Sequence, residues 1–309
     1  MSQLKHLVSV ADFSPPELER ILARARAVKA EWKAGGHEPV LQGQTLAMIF
    51  EKPSLRTRVT FEAGMTQLGG HAIYLAPADI GLGTRESVPD VARNLSRWVQ
   101  VILARTFAHA TVQELAAHAT VPVINALSDR EHPCQALADY LTILERWGAV
   151  AGLPVAFVGD GNNVCHSFLL LGAALGARVT VGCPPGYTPD VFIVEQARAL
   201  AAQSGGQVAI VSEARQAVEG AAVVYTDVWT SMGQESEASQ RRRTFQPYQV
   251  NAALLAHADR EAIVLHCLPA HRGEEITDEV LDGPQSAVLD QAENRLHAQK
   301  ALILELLGR

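Results

Sequence analysis

The chain has 309 residues, 48% hydrophobic and 19% charged, with a formal net charge of -7, which suits one large globular domain or two of ordinary size. That charge argues against a nucleic-acid partner, which needs a basic face to displace counterions, but it does not exclude a small anion met by a local arginine cluster. No apolar run is long enough to cross a bilayer and the polar start lacks a signal peptide's apolar core, so neither membrane nor export is expected.

From Leu46 almost to the end, apolar runs of strand length alternate with amphipathic stretches of helix length. That alternation predicts an α/β fold of two doubly wound domains with mainly parallel sheets. In the first half, strands are expected at 46–50, 72–75, 101–104 and 121–125, with helices at 56–68 and 87–98. Val91, Leu95 and Trp98 fall at i, i+4 and i+7, one face of the second helix. After the helix 134–147, the second half repeats the pattern with strands at 154–158, 178–181, 208–211, 222–226 and 263–265. The stretch 233–249 is polar and arginine-containing, and reads as a long irregular loop of the kind that carries function. A terminal helix is expected at 291–307. The domains are therefore placed at 1–147 and 148–290, with 291–309 packing back on the first.

Open parallel sheets bind ligands beyond the carboxyl ends of their strands. Reactive residue types gather there: Glu51-Lys52-Pro53-Ser54, Arg105-Thr106, His132, Asp160-Gly161-Asn162-Asn163, Asp227 and His266-Cys267. In Ser54-Leu55-Arg56-Thr57-Arg58 a strand turns into a helix. Free amides at a helix start, two hydroxyls and a guanidinium fork suit a phosphate. The plainer reading is an N-cap with surface ion pairs; Arg105 on a neighbouring strand tips the balance for Arg56, while Arg58 points elsewhere and suits an ion pair. His132 and Gln135 lie three apart at a helix start, so both can offer hydrogen bonds to one carbonyl oxygen.

Gly159-Asp160-Gly161-Asn162-Asn163 lacks the third glycine of a dinucleotide fingerprint, since Val164 stands there, and no acid ends the next strand. A nicotinamide cofactor is thus disfavoured, and the asparagine amides suit an amino acid. Asp227 can pair with an ammonium group, or simply cap a helix. Cys267 is open to three readings: nucleophile, polar contact to an amine, or buried structural thiol. Cys134, Cys165, Cys183 and Cys267 show no paired CxxC spacing, so neither a zinc site nor disulfides are indicated, and the cytoplasm is the expected compartment.

Together, Ser-x-Arg-Thr-Arg at Ser54, His-Pro-x-Gln at His132, Asp-x-x-x-Ser-Met-Gly at Asp227 and His-Cys-Leu-Pro at His266 resemble the aspartate/ornithine carbamoyltransferase family. The last two resemble its ornithine branch. The match runs in consistent order from Leu46 to Arg295. The resemblance implies two α/β domains with the active site in the cleft between them, transfer of a carbamoyl group from carbamoyl phosphate to the δ-amine of ornithine, no metal or other cofactor, and a homotrimer. It assigns Ser54, Leu55, Arg56, Thr57, Arg105, His132, Gln135, Cys267, Leu268 and Arg295 to carbamoyl phosphate, and Asn163, Asp227, Ser231 and Met232 to ornithine. Arg56, Arg105, His132 and Cys267 form the catalytic set, with Cys267 orienting the substrate rather than reacting covalently. One departure stands out: a glutamine usual in the family is aligned with Gly81 here. The rival readings are the same chemistry on putrescine, an acylated ornithine or aspartate, a silent binding subunit, and a nicotinamide oxidoreductase.

Overall fold

A computed structural model describes residues 5–231 and 233–309. The chain forms two compact units, one of residues up to Leu141 together with Glu293–Arg309, the other of Thr142–Ala292.

The first unit holds a parallel sheet of β1 (Thr45–Phe50), β2 (His71–Leu75), β3 (Val101–Arg105) and β4 (Val123–Leu127), in the order β2-β1-β3-β4. Residues 46–50 and 101–104 are buried throughout, as expected of central strands covered by helices on both faces. The edge of β4 is closed by the N-terminal segment, where the Leu7 N–H donates to Val123 O and Leu7 O accepts from the Asn125 N–H. Chain order reverses between β1 and β3, so the crevice at their carboxyl ends is where this sheet can receive a ligand.

The second unit holds β5 (Pro154–Val158), β6 (Arg178–Gly182), β7 (Gln207–Val211), β8 (Val223–Thr226) and β9 (Ile263–His266), all parallel, ordered β7-β6-β5-β8-β9. Its reversal lies between β5 and β8. Helix Asn163–Ala174 is buried from Val164 onward, and the rings of Phe157, Phe168 and Tyr225 pack at 5.1 to 6.1 Å.

Three local expectations are corrected. The fourth strand begins at Val123 rather than at 121. In helix Val88–Trp98, Val88, Val91 and Ala92 face the core, whereas Trp98 is 69% exposed. The stretch 233–249 is no irregular loop: it contains helix Ala238–Phe245. That helix has no apolar stripe to betray it. It is anchored by Phe245 and by Arg241, one turn apart and both buried, and the arginine pairs with Glu237 one turn earlier and with Asp160, which only the tertiary structure brings to it.

Candidate functional site

Two clusters of polar side chains stand at the two reversal points. In the first unit, Ser54 caps helix Leu55–Gln67, its Oγ accepting the Thr57 N–H at 3.3 Å. The cap uses a lone pair and leaves the hydroxyl proton available. Leu55 turns its side chain to solvent, 74% exposed, so it can offer only its backbone here. Arg58 pairs with Glu62 at 2.9 Å and lies 3.9 Å from the Tyr74 ring centroid. Arg56, by contrast, makes no ion pair among the described residues.

Arg105 ends β3, where the pairing with β4 slips so that Ala104 faces Asn125 but Arg105 faces Leu127. A bulge of this kind re-aims the side chain at a strand end, and Arg105 is buried there at 7% exposure. His132 is buried too, and its pKa lies well below the ordinary 6.5, first through burial and then through Arg295, Arg105, Arg56 and Lys52. Four cations thus converge on one neutral imidazole, which leaves it able to donate a single N–H.

Arg295 donates to Gln135 Oε1 at 2.6 Å and to Thr57 Oγ1 at 3.0 Å. The Gln135 amide in turn donates to the buried carboxylate of Asp139 at 2.8 Å. Lys52 and Asp139 were absent from the expected set. Lys52 belongs to the string that follows β1. Its ammonium sits 4.7 Å from the Phe107 ring centroid, and its pKa is lowered by burial and by Arg105. Its place after a strand was a usable signal; nothing in the sequence distinguished Asp139 from any helical acid. Cys134 is inert, its thiol pushed up to about 12 by burial.

Gly81 has φ +59, and a Cβ there would lie 2.8 Å from Arg85 Cβ. A glutamine could not replace it without moving the turn. A cavity of about 230 Å³ adjoins it, lined in part by Glu51, Leu82, Thr84 and Phe107.

In the second unit, Asp227 follows β8 and is held from two sides: Asn162 Nδ2 donates to its Oδ2 at 2.8 Å, and the Cys267 thiol donates to its Oδ1 at 3.0 Å. Asn162 is also the N-cap of helix Asn163–Ala174, its Oδ1 accepting the N–H groups of Val164 and Cys165. Asn163 opens the helix, half-buried. The Ser231 N–H donates to Gln234 Oε1 at 3.1 Å; Met232 lies outside the described residues.

Asp160 and Arg241 form a buried ion pair at 2.9 Å, and the same Arg241 nitrogen donates to Trp229 O at 2.9 Å. Arg241 thereby ties the turn after β5 to the segment after β8. Burial raises the Asp160 carboxyl to about 6 despite that arginine.

Asp227, His266 and Cys267 offer metal-ligating atoms within 4.8 Å of one another. His266 has no free lone pair, however: its Nδ1 accepts the Leu268 N–H at 2.9 Å and its Nε2 lies 3.0 Å from Glu275 Oε1. The donor set does not fit an ion without rearrangement.

The fold and these two clusters define an α/β protein with a cationic cluster in one unit and an acid-centred cluster in the other. Family models identify residues 5–145 as an aspartate/ornithine carbamoyltransferase carbamoyl-P binding domain and residues 151–306 as the Asp/Orn binding domain. The chain is 53% identical over 304 residues to ornithine carbamoyltransferase of Pyrococcus horikoshii, covering 98% of this chain and 96% of that one. It also resembles the solved structure of ornithine carbamoyltransferase from Pyrococcus furiosus, with a TM-score of 0.97 and 52% identity over 99% of this chain and 97% of that one. The Thermus thermophilus enzyme of the same name matches with a TM-score of 0.89 and 48% identity over 99% and 100% of the two chains. The chain belongs to the aspartate/ornithine carbamoyltransferase family.

Proposed function

We propose that this carbamoyltransferase transfers the carbamoyl group of carbamoyl phosphate to the δ-amine of L-ornithine, giving L-citrulline and phosphate within arginine metabolism. The observation that carries the reading is the convergence of Arg56, Arg105, Arg295 and Lys52 on a neutral, buried His132. Such a pocket suits a phosphate and the carbonyl beside it.

In this reading the amides and hydroxyls of Ser54, Leu55 and Thr57 hold the phosphate, with Arg56 and Arg105 as its counter-charges. His132 and Gln135 donate to the carbonyl oxygen, whose negative charge grows as the amine attacks. One well-aimed donor of this type contributes about 3–4 kcal/mol to the transition state. Arg295 holds Gln135 and Thr57 in place, and the backbone at Cys267 and Leu268 contributes to the same substrate.

The second unit has the acceptor's problem. An alkyl amine of pKa near ~10.4 is about one part in a thousand neutral at physiological pH. Asp227, held by Asn162, receives the α-ammonium of ornithine, and Asn163, Ser231 and Met232 are the other residues assigned to that substrate. The δ-amine, delivered as its minor neutral form, attacks the carbonyl carbon. The tetrahedral intermediate collapses, the carbon–oxygen bond to phosphate breaks, and the departing phosphate takes the amine's proton. Cys267 orients the substrate: its proton already serves Asp227, and carbamoyl phosphate is activated without a covalent intermediate.

We assign a homotrimer. Leu55, Trp98 and Phe107, at 74%, 69% and 55% exposure, give the first unit apolar surface for subunit packing. A reduced, cytoplasmic setting agrees with four free thiols. Phosphate release from carbamoyl phosphate, assayed with ornithine, putrescine, N-acetylornithine or aspartate as acceptor, tests the assignment. A preference of about a hundredfold for ornithine is expected; an equal rate with putrescine would remove Asp227 from the acceptor site.

A further inference from the structure

The segment between β9 and Ile276 is held in an unusual way. His266 and Glu275 are both completely buried, with His266 Nε2 3.0 Å from Glu275 Oε1. The Leu268 N–H donates to His266 Nδ1 at 2.9 Å, so Nδ1 carries the lone pair and Nε2 carries the proton that goes to Glu275. The same carboxylate oxygen also accepts the His271 N–H at 2.6 Å. One atom, Glu275 Oε1, thus secures both ends of the Cys267-Leu268-Pro269-Ala270 turn.

What it secures is not relaxed. Leu268 has φ +58 and is the only non-glycine residue with positive φ among the described residues. A leucine avoids this region because its Cβ crowds the following carbonyl. The Leu268 N–H bond to His266 closes the turn in that conformation. The imidazole can accept it only while Glu275 holds the ring proton on Nε2. Beside Leu268, the Cys267 thiol donates to Asp227 at 3.0 Å, so the turn's geometry is passed on to the proposed ornithine-binding acid. The backbone of Glu275 is itself fixed, its carbonyl accepting the Val250 N–H at 2.8 Å, and the His266 N–H is bound by Gln291 at 2.9 Å.

We propose that Glu275 is a positioning residue for carbamoyl transfer: acting through His266, it locks the turn that presents Cys267 and Leu268. This rests on the function proposed above. Neither Glu275 nor the His266 ring touches substrate in this account.

The test compares the parent enzyme with Glu275→Ala, Glu275→Gln and Glu275→Asp by two readouts. One is steady-state citrulline formation. The other is the rate at which iodoacetamide alkylates Cys267, the one partly exposed cysteine beside three buried ones. Glu275→Ala should lower kcat about tenfold and change the Cys267 alkylation rate by a similar factor, with the circular dichroism of the parent. Glu275→Gln should restore both to within about twofold, because its amide oxygen accepts the same two N–H groups. If the alanine variant does not fold, Glu275→Asp replaces it, keeping the charge but drawing the oxygen back by one methylene. A folded alanine or aspartate variant with parental kcat, or parental alkylation, overturns the proposal. So does a glutamine variant as impaired as alanine. A parent without carbamoyl transfer would overturn the functional reading, a distinguishable failure because alkylation still ranks the variants.

Discussion

Arg295, in helix Val288–Leu306, donates at 2.6 Å to the side-chain oxygen of Gln135, 160 residues earlier in the chain. With the other end of that amide donating to Asp139, Gln135 cannot turn over: exchanging its oxygen and nitrogen would set donor against donor and acceptor against acceptor. One amide N–H remains for a ligand. Arg295 is 2% exposed and fixes the orientation of a proposed substrate contact.

Removing that arginine should therefore cost both stability and activity. Arg295→Ala is expected to destabilise the first unit by about 2–4 kcal/mol, read by chemical denaturation. Arg295→Lys should recover little of the lost kcat/KM for carbamoyl phosphate, because one ammonium cannot serve Gln135 and Thr57 in a fixed fork.

Arg56 makes its case in the opposite way, since no ion pair among the described residues occupies it. Arg56→Ala should reduce kcat/KM for carbamoyl phosphate by about a hundredfold or more while leaving thermal unfolding within a few degrees of the parent. Near-parental turnover at saturating carbamoyl phosphate would remove it from the transition state.

The pH behaviour of His132 follows from its surroundings. Its folded pKa lies well below 6.5, so it stays neutral through the neutral range. Because the unfolded chain takes up the proton more readily, its contribution to stability is complete above 6.5 and is lost as the pH falls below that value. Titration of the His132 ring by NMR should show no midpoint near 6.5, and kcat/KM for carbamoyl phosphate should show no matching inflection.

Asp160 and Arg241 give a second pH dependence. The carboxyl titrates at about 6 instead of 3.8. Its pKa is raised on folding, so this group's stabilising contribution is full below 3.8 and is lost as the pH rises through about 6. The ionised pair serves position instead: it holds Trp229 and the segment after Asp227. Below about pH 6 the KM for ornithine should climb faster than the KM for carbamoyl phosphate. Arg241→Ala should raise the ornithine KM by about tenfold even at pH 8 and flatten that dependence. Equal changes in both KM values would point to general loosening.

Gly161 stands between Asp160 and Asn162 with no room for a side chain: a Cβ there would lie 2.2 Å from Pro189 N and 2.4 Å from Thr188 C. Gly161→Ala should shift the turn after β5 and cost about 1–3 kcal/mol, with weaker ornithine binding as the functional sign. Unchanged melting and kinetics would show that the turn yields freely.

Some of this was legible from local pattern. Buried parallel strands announce themselves as continuous apolar runs, and the residues that follow them are by geometry the ones at the sheet's binding edge. That is why Ser54, Arg56, Arg105, His132, Asp227 and Cys267 could be named from order alone. Helix Ala238–Phe245 was missed because its anchors are an arginine and a phenylalanine rather than an apolar stripe.

The sequence by itself determined the α/β alternation, the strand-end chemistry and the family resemblance, since each is written in residues close together in the chain. Only the tertiary structure decided that Arg295 serves Gln135, that Asn162 meets Asp227, and that Glu275 reaches back to His266. Those are choices between equivalent donors and acceptors. Burial makes them, because a polar group removed from water must find its partner among whichever groups the fold has brought beside it.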